Sequence, residues 1–128
     1  MLVRKQYHFW PGGHALDAWD VDRLIRLSRA LPVEQVVVDD IAEIDSVYWF
    51  DDREQSPTVR RVVEHARPIQ DVDLSHPIIL GADGRVMDGM HRVARALLEG
   101  RATVAAVRFT KNPEPDYHDC WPEDLPYD

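Results

Sequence analysis

The chain has 128 residues, a single cysteine, 45% apolar side chains and a formal charge of −8 at pH 7. That length suits one domain with a real core and is too short for two, and one cysteine excludes an internal disulfide framework. The acidity argues against a nucleic-acid binder, which needs a basic surface to displace counterions, and no apolar run nears the roughly 20 residues of a membrane span.

From the start of the chain, Arg4 to Trp10 alternates weakly and reads as an edge strand stopped by Pro11-Gly12-Gly13. Asp17 or Asp20 can cap a helix reaching about Ala30, with Val21, Leu24, Ile25 and Leu31 inward. Arg23, Arg26 and Arg29 then lie on its solvated face. Pro32 ends that helix, and the β-branched run Val33 to Val38 predicts a strand. Ile41 to Phe50 reads as irregular chain or a short helical turn. It carries Glu43, Asp45, Tyr48 and Trp49, and Asp51 and Asp52 follow. Ser56-Pro57 opens a helix to about Ala66. Pro77 to Leu80 predicts a buried strand, Ala82 to Arg85 a tight turn, and Val86-Met87 a returning strand. Met90, Val93, Ala94, Leu97 and Leu98 form the apolar stripe of a helix that Gly100 stops. Thr103 to Phe109 is a further strand. From Lys111 to Asp128 there are six acids, four prolines and one lysine, the composition of an extended, poorly packed tail that Tyr117, Trp121 and Tyr127 could anchor. The expected organisation is a single α+β domain over 1–110 followed by that acidic tail.

The chemistry concentrates at Asp88-Gly89-Met90-His91-Arg92, where a strand ends and a helix begins. The first amides of a helix lack intrahelical partners and face the positive end of its dipole. A glycine there permits close approach, and the arrangement suits a phosphate. Arg92 offers a planar fork of donors that pairs with phosphate oxygens, and Arg95, one turn on, either reinforces it or is solvated. His91 can donate to a phosphate or serve in acid–base work. Asp88 can cap the helix, accept from a substrate hydroxyl or hold Mg²⁺ through water. Within Arg85 to Phe109 five arginines face two acids. A local positive site on an acidic chain favours a small anion over a polymeric one. The six histidines show no metal-ligand spacing, and Ser75 and His76, adjacent on extended chain, point to opposite faces and cannot form a relay.

The order of strand with Pro-Ile, turn, short strand, Gly-x-His-Arg helix, glycine and strand, over Leu74 to Phe109, resembles the ParB/sulfiredoxin fold family. In sulfiredoxins the residue before His-Arg is the reactive cysteine. Here it is Met90, which cannot do that chemistry. The partition proteins carry Gly-Glu-Arg-Arg at this place and a helix-turn-helix after it, and this sequence shows neither, so DNA recognition of that kind is not expected. The box is most similar to the Asp-Gly-His-His-Arg of small-molecule kinases of the free-serine type, matched by Asp88, Gly89, His91 and Arg92 and departed from at Met90. Those kinases use an upstream glutamate as base, for which Glu43 or Asp45 would stand here.

The resemblance implies a small mixed sheet with packed helices and a phosphate site formed by Asp88, Gly89, Met90, His91, Arg92 and Arg95. It implies ATP or ADP as the nucleotide, with CTP a further candidate, Mg²⁺, and phosphoryl transfer to a small metabolite. Glu43, Asp45 and His91 are then the catalytic candidates. The alternative is a non-catalytic nucleotide-binding module that contacts a protein partner through the acidic tail. A nuclease fits least. A cytoplasmic location is expected from the lone cysteine and the absence of a leader-like or spanning segment.

Overall fold

Alternation of side chains, more than any long helix, organises this molecule. The computed structural model describes residues 5–50 and 57–127. Its elements are β1 (Tyr7–Pro11), β2 (Leu16–Asp20), α1 (Val21–Ser28), β3 (Glu34–Val37), α2 (Val59–Asp71), β4 (Ile78–Leu80), β5 (Val86–Asp88), α3 (Met90–Leu98), β6 (Thr103–Arg108) and β7 (Tyr117–Cys120), with short 3₁₀ turns at Val38–Asp40, Ala42–Asp45 and Pro122–Asp124. The fold is α+β.

A four-stranded mixed sheet runs β3-β6-β4-β5, with β6 and β4 parallel and the outer pairings antiparallel. Its period-two pattern makes two cores. Ile78, Leu80, Val86, Val104 and Ala106 face α3, where Met90, Val93 and Ala96 meet them. Ile79, Met87 and Val107 face the other way, toward Leu24 of α1 and Trp19 of β2. Trp19 belongs to a second, antiparallel sheet ordered β1-β2-β7.

Asp20 is the cap of α1, accepting from Asp22 N at 2.9 Å; the residues before it form β2, a strand the local sequence does not signal. Val21 and Leu24 are buried as expected, but Ile25 is 39% exposed. Thr58 caps α2, accepting from Arg61 N at 3.2 Å, and the expected cap Ser56 lies outside the described residues, as do Asp51 and Asp52. The helix passes Pro68 and ends at Asp71. Proline removes one ladder bond, and Arg95 Nη1 donates to the C-terminal carbonyls of Gln70 (2.5 Å) and Val72 (3.1 Å). On α3 the stripe is rotated from expectation: Met90, Val93 and Ala96 are buried, while Leu97 and Leu98 are exposed. Gly100 ends it at φ +71°, and Arg101 N bonds Ala96 O at 2.9 Å.

The C-terminal segment differs most. Rather than a loose tail, it supplies β7 against β2 and buries Leu125. No helix of the described residues is long and apolar enough to cross a membrane.

Candidate functional site

The strand β5 delivers the chain to α3 through Gly89, whose φ of +106° is one that only glycine adopts freely. A Cβ here would lie 2.8 Å from Ile78 Cγ2 and 2.9 Å from the Arg92 guanidinium, so the glycine is also demanded by packing. Arg92 N and Val93 N bond Gly89 O at 2.9 and 3.1 Å. The amides of Met90 and His91 precede those first intrahelical bonds, where an anion is favoured.

These residues form one wall of a cleft of about 680 Å³. Facing them are Tyr7, His8 and Phe9 of β1 and the side chains of Tyr48 and Trp49. Tyr48 and Trp49, which follow the 3₁₀ turns, therefore lie on the same side of the sheet as His91, as a shared site requires.

Trp49 organises the adjoining edge. The rings of His65 and His91 lie against it at centroid distances of 4.5 and 4.6 Å, inclined by 14° and 16°. The two imidazoles are hydrogen bonded to each other, His65 Nδ1 to His91 Nε2 at 3.0 Å. One of these nitrogens donates and the other accepts, so at least one ring is neutral on that edge. Burial, and then the nearby His65, lower the His91 pKa to about 4; burial and Arg61 lower that of His65. At neutral pH both are uncharged, and His91 can donate or accept a proton but brings no charge to a phosphate.

The acids are distributed unequally. Glu43 Oε2 accepts from Val86 N at 2.6 Å, and its Oε1 is buried without a hydrogen-bond partner. It lines an adjoining cleft of about 610 Å³ that shares Tyr48 and Trp49 with the first. Burial and then the charges of Glu43 and Asp88 push the Tyr48 phenol up to about 12, so it is a neutral donor throughout the physiological range. Asp45 is exposed and lines neither cleft. Asp88 lies on the first cleft; burial raises its pKa against the opposing pull of Arg92.

The arginines are placed otherwise than the phosphate expectation had them. Arg92 Nη2 pairs with Asp88 Oδ2 at 2.8 Å, and its Nη1 reaches the carbonyls of His76 and Pro77, both at 3.3 Å. It lines a different cleft, on the α1 side. Arg95 clamps the end of α2 and pairs with Glu99 at 2.9 Å. Met90 is buried in the core beneath the site. So the structure brings together Asp88, Gly89, His91, Tyr48 and Trp49, sets Glu43 beside them, and leaves Asp45, Arg92 and Arg95 off the cleft of His91.

His65 and His8 were not singled out by sequence. His65 meets His91 where α2 packs on α3; the half-buried positions of α2 are Arg61, His65, Pro68 and Ile69, a spacing that marks one face but not its target. His8 is 7% exposed, its pKa held at about 4 by burial and then by Arg85, and its Nε2 makes no hydrogen bond. Among the described residues no group of three or more His, Cys, Asp or Glu converges on a point. Comparison with family models, curated proteins and solved structures gave no match.

Proposed function

We propose that this chain is a ParB/sulfiredoxin-like domain that binds a nucleotide at the start of α3 and transfers a phosphoryl group to a small hydroxyl-bearing molecule. One observation carries the reading: Tyr48 and Trp49 share a cleft with Gly89, the helix-start amides and His91. The amides of Met90 and His91 would hold phosphate oxygens, and the aromatic wall would stack a base or an acceptor. His91, neutral and fixed by His65 and Trp49, would hold or pass a proton at its ring edge. Asp88 is the acid on that cleft, and Glu43 the one beside it. Mg²⁺ fits this donor set sparsely, as it does where phosphates and water complete its shell. Asp88 would supply the single carboxylate, and the ion when bound would neutralise phosphate charge.

A second reading, binding without transfer, is favoured by the engagement of the acids. Glu43 is held by the Val86 amide, Asp45 is elsewhere, and Asp88 is tied to Arg92. Such a domain would report nucleotide occupancy to a partner.

The test is a thermal-shift panel of ATP, ADP, CTP and GTP, each with Mg²⁺. A ligand at a hundred times its dissociation constant adds roughly 2.7 kcal/mol. No shift with any of them would sink both readings. If a nucleotide binds, ³¹P NMR with a pool of hydroxylated metabolites separates the two. Turnover that is lost in Asp88→Asn indicates the transferase, and binding without turnover the module.

A further inference from the structure

On the α1 side of the mixed sheet lies a second cleft of about 590 Å³, which shares only Asp88 with the proposed phosphate site. Its walls are aliphatic: Ile25 from α1, Leu31 and Val33 from the connection to β3, Ile79 from β4 and Val107 from β6. Two of them are left open to solvent, Ile25 at 39% and Val33 at 59% exposure. Ile25 occupies a position that helical periodicity assigns to the core, and here its stripe runs into a hollow instead of a neighbour. A volume of this order with mostly apolar walls and few polar groups is typical of a small-molecule site.

The polar groups define the ligand. Arg29 stands among the lining residues, exposed, and its side chain makes no ion pair or hydrogen bond among the described residues. His76 is also exposed at this cleft and pairs with Asp73 at 3.7 Å. The floor holds the Asp88–Arg92 ion pair, in which the two charges already answer each other at 2.8 Å. That leaves one unanswered positive charge, at Arg29, beside an apolar hollow. A guanidinium fork matches a planar carboxylate, and a single unanswered positive charge balances the one negative charge of a carboxylate but not the nearly two of a phosphate monoester.

We infer that this second cleft binds a small amphipathic monocarboxylate, its apolar body lying against Ile25, Val33, Ile79 and Val107 and its head on Arg29. The assignment stands on the α1 side alone and does not depend on nucleotide binding.

The experiment is an NMR titration of the ¹⁵N-labelled full chain with decanoate below its micelle range. The expected result is saturable binding, with amide shifts gathered at Ile25, Arg29, Val33, Ile79 and Val107. 1-Decanol and decylammonium, which have the same tail, should bind at least about tenfold more weakly. Arg29→Glu and Val33→Asp, both at exposed positions, should each weaken decanoate by about tenfold or more without moving the melting temperature. Absence of saturation overturns the proposal, as does decanol binding as well as decanoate, or indifference to both substitutions. Tighter binding of decyl phosphate than of decanoate overturns the monocarboxylate assignment.

Discussion

At the level of single residues, Arg92 shows how one side chain can satisfy a motif and still serve the fold. Its guanidinium makes one ion pair and two carbonyl contacts, linking the end of β5 to the entrance of β4. Truncating it strands a half-buried carboxylate at Asp88 and two carbonyls. Arg92→Ala should therefore destabilise the ligand-free protein by about 2–4 kcal/mol, measured by urea denaturation. Asp88→Asn, which leaves a neutral acceptor for the same guanidinium, should cost less. Unchanged stability in Arg92→Ala would mean that the guanidinium is free to serve a ligand. The buried histidine on β1 makes a second prediction. His8 titrates near 4 in the fold against 6.5 in the unfolded chain, so the unfolded state binds more protons between those values. The contribution of neutral His8 is complete above pH 6.5 and is lost as pH falls toward 4. By linkage this amounts to about 3 kcal/mol. His8→Phe keeps a ring beside Trp10 and Trp19 and removes an unpartnered nitrogen. Its stability curve should be flatter across that window, and a curve parallel to the parent's would refute the assignment.

At the level of elements, the helix stripes separate what burial decides from what periodicity suggests. Leu80, 1% exposed between β6 and α3, should cost about 2–5 kcal/mol as Leu80→Ala through a core cavity. Leu97 lies on the expected stripe of α3 but is 46% exposed, and Leu97→Ala should cost roughly 1 kcal/mol or less, since most of its surface already meets water. Chemical denaturation of both variants checks the contrast. The segment from β4 to β6 was legible because each element carries its own local signal: buried aliphatics, a Gly84 turn, an αL glycine at the helix start and another at its end. The strands β2 and β7 were not. Leu16–Asp20 is short and abuts a helix cap that gives the stronger signal, and Tyr117–Cys120 sits among acids and prolines that locally disfavour a strand. Their pairing is a tertiary event, and local propensity yields to it. The site divides in the same way. Gly89 and His91 were readable from their place between strand and helix. The pairing of His65 with His91 depends on how α2 docks on α3, and so does the clamp that Arg95 places on α2.

At the level of the whole molecule, the acidic C-terminal segment is what closes the three-stranded sheet. Besides the β7 ladder, Trp19 Nε1 donates to Pro113 O at 2.7 Å, Arg23 to Glu114 O at 2.7 Å, and Asp20 N to Asp116 Oδ2 at 2.8 Å. Asn112 Oδ1 accepts from Ala82 N at 2.7 Å, so the segment also touches the turn of the mixed sheet. Asp119 accepts from His14 N at 2.9 Å, and Tyr7 donates its hydroxyl to Pro126 O while its ring meets Tyr127 at 5.4 Å. An acidic segment is thus retained largely by backbone and aromatic contacts, to which Arg23 adds an ion pair with Asp116 at 3.2 Å. Screening by salt should therefore weaken it little. Removing residues 111–128 would leave β2 as an unprotected edge beside Trp19 and strip a wall from the cleft of His91. Each lost hydrogen bond is worth about 1 kcal/mol net, and a domain of this size has only about 5–15 kcal/mol in total. The truncated chain should therefore lose cooperative unfolding and bind an apolar dye such as ANS, and it should give poorly dispersed amide resonances for residues 5–25. A truncated protein with full dispersion and an unchanged melting temperature would show that the mixed sheet and its helices are self-sufficient, with the acidic segment an appendage to them.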